Sequence, residues 1–225
     1  SIGSANFGQN YGFFKKNNLD KDEFKKVIKF CKKNNVYNFD TASRYKKSED
    51  YFNLINKTSY KPCISTKLPS LPKNIKNFNK WVNNSLFKSM KKINIDKIEV
   101  LYFGDSFNFN SSKDIYIYKR LYNELLELKK KNYISKIGYS TYNYNFINNK
   151  DFIPPDVIQA PFNIIDQRIL QKNIMKYLKK NKIKIYIRSI FLQGILLMNY
   201  NFENNFKHLS QKLQLIDFDR NKLNI

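Results

Sequence analysis

Asp40, Tyr45 and Lys67 are the residues whose types and spacing could move a proton. Tyr37-Asn38-Phe39 runs into Asp40, Tyr45 follows five residues later, and Cys63-Ile64-Ser65-Thr66 runs into Lys67. A phenol is a poor acid at neutral pH, with an unperturbed pKa of about 10. A nearby ammonium stabilises the phenolate and lowers that value, which Lys67 is placed to do for Tyr45. A carboxylate holds the ammonium charged and oriented, which suits Asp40. The product is a general acid able to protonate an oxygen that gains negative charge. Such a group suits hydride delivery to a carbonyl from a reduced nicotinamide. Taken singly, each residue has an ordinary reading. Asp40 is an N-cap or a loop-stabilising Asx turn, Lys67 is one of 36 lysines, and Tyr45 is one of 16 tyrosines. Their order on two successive strand ends points to chemistry.

The elements that must position them alternate along the chain. Residues 2–7 read as a short strand ending in a loop with Gly8 and Gly12. Residues 21–34 read as a helix with Asp20 as N-cap and Glu23 completing a capping box. Phe24, Val27, Ile28 and Cys31 share its apolar face. Strands are expected at 36–39, 62–66, 97–103, 134–139, 157–160 and 183–190. Helices are expected at 48–55, 75–93, 115–131, 170–181 and 202–215. This gives seven units, each a strand and all but the fifth followed by a helix, which implies parallel strands with helical crossovers.

Two architectures satisfy that alternation. An open nucleotide-binding sheet should carry G-x-G-x-x-G after its first strand, and Gly3, Gly8 and Gly12 have the wrong spacing. A barrel gathers working residues at the C-terminal ends of many strands. Those ends here carry Asn6, Asp40, Lys67, Asp105, Ser140, Gln159 and Ser189. The reading is an α/β fold, a (β/α)8 TIM barrel forming a single domain over residues 1–225. Seven units are visible and the eighth is missing or incomplete. A seven-stranded remnant would expose two strand edges. With Ser1 in place of an initiating Met, the short tail reads as a C-terminal truncation.

Composition excludes several classes. A hydrophobic share of 42% with 16% aromatics supports a packed core and argues against disorder. No uncharged apolar run reaches about 18 residues, so no membrane span is expected. No secretory leader is visible, and Cys31 and Cys63 fit no metal spacing, so the expectation is a cytoplasmic protein with ordinary thiols. The net charge of +23 raises nucleic acid as a partner. However, 36 of the 41 basic residues are Lys and 5 are Arg, spread along a chain rich in Asn, Ile, Tyr and Phe. Base readers favour the Arg fork. The charge therefore reads as a solvated surface, with no specific nucleic-acid site and only non-specific polyanion binding at low salt. Oligomeric state leaves no signal.

Several motifs together resemble the aldo-keto reductase family over nearly the whole chain. They are Gly3-Ser4-Ala5-Asn6-Phe7-Gly8, Phe39-Asp40-Thr41-Ala42 with Tyr45, Ser65-Thr66-Lys67, and Lys136-Ile137-Gly138-Tyr139-Ser140. Further on come Gln159-Ala160-Pro161-Phe162-Asn163 and Arg188-Ser189-Ile190-Phe191-Leu192-Gln193-Gly194. The resemblance implies a (β/α)8 barrel, NADP(H) as cofactor, and reduction of a small-molecule aldehyde or ketone to an alcohol. It also implies an Asp-Tyr-Lys-His tetrad, matched by Asp40, Tyr45 and Lys67. The family's His falls on Gly104, which can neither orient a carbonyl nor share its proton. Asp105 and Ser106 are the nearest replacements, and the one histidine, His208, lies in the expected last helix. The alternative reading is therefore a catalytically impaired barrel that binds a nucleotide or a carbonyl ligand.

By the same resemblance, Ser140 and Gln159 hold the nicotinamide carboxamide; otherwise they cap strand ends. Thr141 stands where the family often has Asn, and Arg188 where it often has a stacking aromatic. Ser189, Phe191, Gln193 and Gly194 form the loop that approaches the pyrophosphate, with Gly194 allowing close backbone contact. The 2′-phosphate region would follow the eighth strand, so NADP over NAD is inherited from the resemblance alone. Tyr11, Phe13, Phe107 and Trp81 are candidates for lining a substrate pocket or for simple packing.

Overall fold

A computed structural model describes residues 1–12, 19–55, 60–72, 74–104 and 107–197. Seven strands occur among them: β1 (Ile2–Gly3), β2 (Asn38–Asp40), β3 (Cys63–Lys67), β4 (Ile98–Gly104), β5 (Ile134–Ser140), β6 (Val157–Pro161) and β7 (Lys184–Arg188). Five α-helices separate them: α1 (Lys21–Lys33), α2 (Ser48–Phe52), α3 (Phe78–Ile93), α4 (Ser112–Lys130) and α5 (Lys172–Lys180). Every strand pairs in parallel with its neighbour, in sequence order from β1 to β7. That is the order a (β/α) barrel requires. The expected helix at 202–215, His208, Asp105, Ser106, Phe13 and the eighth unit lie outside the described residues.

Local chemistry sets the element ends. The Asp20 carboxylate accepts from the amides of Asp22 and Glu23, and the Glu23 side chain returns to the Asp20 amide, so the capping box forms as expected. Phe24, Ile28 and Cys31 are buried beneath α1. Helix α3 starts at Phe78, later than the expected 75, because Asn77 is extended and its side chain accepts from the Lys80 amide. Helix α4 starts at Ser112, earlier than the expected 115, because Ser111 caps the Asp114 amide. The expected apolar periodicity began at Ile115 and overlooked that polar first turn.

The sheet curls. Gln159 on β6 and Asp40 on β2 lie four strands apart, about 19 Å in a flat sheet at about 4.8 Å per strand. Yet their side chains meet at 2.9 Å. The strand ends therefore turn towards one another around a common interior. The loops after β1 and β7 also meet, since a Cβ added to Gly12 would lie 2.9 Å from the Gln193 carbonyl oxygen.

Side chains fill the interior below that opening. Val100, Tyr102 and Val157 are buried together, with Tyr186 against them. Gly138 makes room for the Tyr102 ring, because a Cβ there would lie 2.3 Å from Tyr102 Cδ1. Outside the sheet, the main core packs strands on helices. Phe107 lies edge-on to Tyr118 with centroids 5.5 Å apart, and Trp81 on α3 packs against the same core. Both pack, partly buried, against the core.

Candidate active site

Strands β2 and β3 end side by side, pairing Asp40 with Ser65. The next residues bring Lys67 Nζ 2.8 Å from Asp40 Oδ1 and 2.6 Å from Oδ2, with the Thr41 carbonyl at 3.2 Å. The Lys67 side chain is only 11% exposed and that of Asp40 20%. Polar side chains brace this corner from behind. Ser4 Oγ donates to the Asp40 carbonyl at 3.0 Å. Ser48 Oγ lies 2.7 Å from Ser4 Oγ and 3.0 Å from Thr41 Oγ1. Thr66 Oγ1 donates to the buried Glu49 carboxylate at 2.8 Å. The start of α2 thus holds the ends of β2 and β3 in place.

Tyr45 stands beside this pair, with Lys67 Nζ 5.9 Å from its ring centroid. Burial pushes its phenol up to about 12, the Asp40 charge adds to the rise, and the Arg44 guanidinium opposes it by charge and hydrogen bonding. The sequence reading, with Lys67 beside the phenol, predicts a lowered value. The ammonium of Lys67 is committed to Asp40 and the Thr41 carbonyl, so Asp40 offsets its pull on the phenol. Burial also pushes the Lys67 ammonium below its ordinary value; Asp40 pulls it back up, while Arg188 and Arg44 push it further down. Lys67 lies 5.2 Å from the centroid of Tyr102, whose hydroxyl is buried without a partner.

Ser140 and Gln159 are register partners at the ends of β5 and β6. Ser140 Oγ donates to Gln159 Oε1 at 3.3 Å, and Gln159 Nε2 donates to Asp40. A carboxamide needs an acceptor and a donor side by side, which this pair offers. Arg188 ends β7, donates from Nη2 to the Thr141 carbonyl at 3.1 Å, and lies 3.8 Å over the Tyr142 ring. Its Nε is buried and unpartnered.

The loop that follows is held in a costly shape. Ser189, Leu192 and Gln193 take positive φ without being glycine, a conformation that costs on the order of 1 kcal/mol or more each and concentrates at ligand sites. Asn163 Nδ2 secures the Ser189 carbonyl at 3.2 Å. Phe191 and Gln193 are exposed, and a Cβ on Gly194 would meet open space. This backbone can approach a ligand closely, as a pyrophosphate would require.

Gly104 ends β4 opposite Ser140, and a Cβ built there meets nothing within 4 Å. Two neighbours escaped the sequence reading. Arg44 lies with Cζ 5.8 Å from the Tyr45 centroid, and Tyr142 lies under Arg188. The scarcity of Arg in a Lys-rich chain was the available signal for Arg44. Tyr11, a pocket candidate, does reach the site, with its ring 6.5 Å from that of Tyr45. Among the described residues no cluster of His, Cys, Asp and Glu could hold a metal, and no helix is long and apolar enough to cross a membrane.

The model of the aldo/keto reductase family matches residues 1–223. Among solved structures, the holo form of the aldo-keto reductase AKR11C1 from Bacillus halodurans superposes with a TM-score of 0.71 at 14% identity, covering 98% of this chain and 72% of that one. The glycerol dehydrogenase AKR11B4 from Gluconobacter oxydans gives 0.67 at 18% identity, covering 90% and 63%. PA4992 from Pseudomonas aeruginosa, provisionally assigned as an aldo-keto reductase, gives 0.66 at 19% identity, covering 84% and 71%. At these identities the structures speak for the fold. No curated protein matches the sequence.

Proposed function

The chain belongs to the aldo/keto reductase family, and we propose that it reduces an aldehyde or ketone to an alcohol with NADPH, Tyr45 providing the proton. The observation that carries this reading is the buried Lys67–Asp40 pair beside Tyr45, bonded through Asp40 to the Gln159 amide. Bound here, the reduced nicotinamide would supply a hydride to the carbonyl carbon. Ser140 and Gln159 would hold its carboxamide and fix the ring face presented. Arg188 and the loop of Ser189, Phe191, Gln193 and Gly194 would lie along the rest of the cofactor, and the unpartnered Arg188 Nε is free to donate to it.

Tyr45 would give its phenolic proton to the substrate oxygen as that oxygen becomes an alkoxide. The alkoxide is a much stronger base than a phenolate, so a phenol raised to about 12 still transfers its proton. Arg44 and Lys67 would stabilise the phenolate left behind, and water would return the proton. NADP over NAD and a cytoplasmic location belong to this reading, the latter on the two free thiols.

Titration calorimetry with NADPH and NADH at near-physiological salt, followed by a carbonyl panel with wild type and Tyr45→Phe, tests the reading. Saturable binding that favours NADPH, with turnover lost in Tyr45→Phe by about 100-fold or more, is expected. Unchanged turnover in that variant would sink it. A second reading, ligand binding without catalysis, rests on Gly104 and the open space beside it. Reduction seen only in Gly104→His would establish that second reading.

A further inference from the structure

We infer that the carbonyl substrate carries a carboxylate held by Arg44 at the mouth of the site. The inference rests on the reductase reading above. Cations crowd this opening, and two of them are uncompensated. Lys67 is neutralised by Asp40, and Arg168 by a two-pronged pair with Asp166 at 2.8 Å on each arm. Among the described residues, Arg44 and Arg188 have no carboxylate within ion-pair distance. Three of the five arginines of a chain with 36 lysines gather at this end of the sheet.

The two unpaired arginines differ in what they have left to offer. Arg188 is turned inward, held by the Thr141 carbonyl and the Tyr142 ring, and its one unpartnered nitrogen, Nε, is buried. Arg44 is exposed, and its guanidinium carbon lies over the Tyr45 ring at 5.8 Å from the centroid. Both arginines push the Lys67 ammonium down and oppose the rise of the Tyr11 phenol, and Arg44 also acts on Tyr45. A guanidinium fork matches a carboxylate two-on-two, which an ammonium cannot do. Arg44 and Tyr45 are consecutive, with Cα atoms about 3.8 Å apart. One short molecule can therefore present its carbonyl oxygen to the phenol and its carboxylate to the fork. A semialdehyde with a carboxylate a few bonds away fits this spacing.

The test compares succinic semialdehyde with pentanal, a neutral aldehyde of similar length, at near-physiological salt so that the overall charge of +23 is screened. Wild type is expected to favour the anion in kcat/KM by about tenfold to a hundredfold, the value of one charge-assisted contact. In Arg44→Gln the ratio should fall towards about one through KM, with NADPH affinity by calorimetry unchanged. Lys46→Gln, which removes the same charge two residues away, should leave the ratio intact. Equal use of both aldehydes by wild type overturns the inference and leaves the reductase reading standing. So does a preference that survives Arg44→Gln, or a loss in that variant of NADPH affinity instead. If neither aldehyde is reduced, the carbonyl panel decides the reductase reading, and titration with succinate decides the carboxylate site. Binding lost in Arg44→Gln would preserve the carboxylate site, and absence of binding would remove it.

Discussion

Gln159 Nε2 donates to Asp40 Oδ1 at 2.9 Å, tying the end of β6 to the end of β2 across 119 residues of sequence. The same oxygen takes a hydrogen bond from Lys67. In the proposed complex the Gln159 amide serves the nicotinamide carboxamide as well, so cofactor binding and the Asp40–Lys67 pair share one side chain. Gln159→Leu is expected to weaken NADPH by about tenfold, the value of one hydrogen bond. Calorimetry reads this directly, and unchanged affinity would remove Gln159 from the cofactor site.

Lys67→Met leaves the largely buried Asp40 carboxylate with only the Gln159 amide. Removing one partner of a buried pair costs about 3 kcal/mol, so the urea midpoint should fall accordingly. Asp40→Asn added to Lys67→Met removes the orphaned charge and should recover part of the loss. A double variant no more stable than the single would show that the cost lies elsewhere.

The raised phenol of Tyr45 predicts a pH dependence with a definite sign. Burial comes first among its causes and the Asp40 charge second. Between about pH 10, where the unfolded phenol ionises, and the folded value of about 12, the unfolded chain binds fewer protons than the folded one. Stability is therefore fully present below about pH 10 and falls as pH rises through that window. Denaturant titrations at about pH 9 and about pH 11 should show a smaller fall in Tyr45→Phe than in wild type. An alkaline decline in reduction rate well below about pH 10 would have to be assigned to another group, with Lys67 the first candidate.

Gly138→Ala places a methyl group 2.3 Å from Tyr102 Cδ1 and 2.7 Å from Val100 Cγ1. Overpacking of this kind costs about 1–3 kcal/mol. Tyr102→Leu should relieve much of that cost in the double variant, and Tyr102→Phe alone should be neutral or stabilising because it deletes a buried hydroxyl without a partner. Additive losses in the Gly138→Ala, Tyr102→Leu double variant would refute the contact.

Gly104→His meets no such obstacle, since its Cβ enters open space. The variant should keep wild-type stability in thermal unfolding. A loss of more than about 1 kcal/mol would mean that the space beside β4 is filled by another part of the chain.

Much of the fold was legible because its signals are local. Apolar runs ending in polar residues gave the seven strands, and Asp20 with Glu23 gave the start of α1. The choice of a barrel over an open sheet followed from working residues on many strand ends. The helix start after Ser111 was missed because its apolar face begins beyond the polar capped turn, and the start after Asn77 was set too early because apolar Ile75 precedes the cap. For the site, spacing alone could place Asp40, Tyr45 and Lys67 on neighbouring strand ends, and pairing of β2 with β3 does bring Asp40 and Lys67 into contact. The direction of the Tyr45 shift was not legible. It depends on burial and on where the Lys67 ammonium points, and both are properties of packed atoms. The Gln159–Asp40 bond, the contact of Gly12 with Gln193 and the two arginines at the mouth arise only when the sheet curls. Sequence order specifies which residues end each strand, whereas curvature, a collective outcome of strand twist and interior packing, decides which of those ends touch.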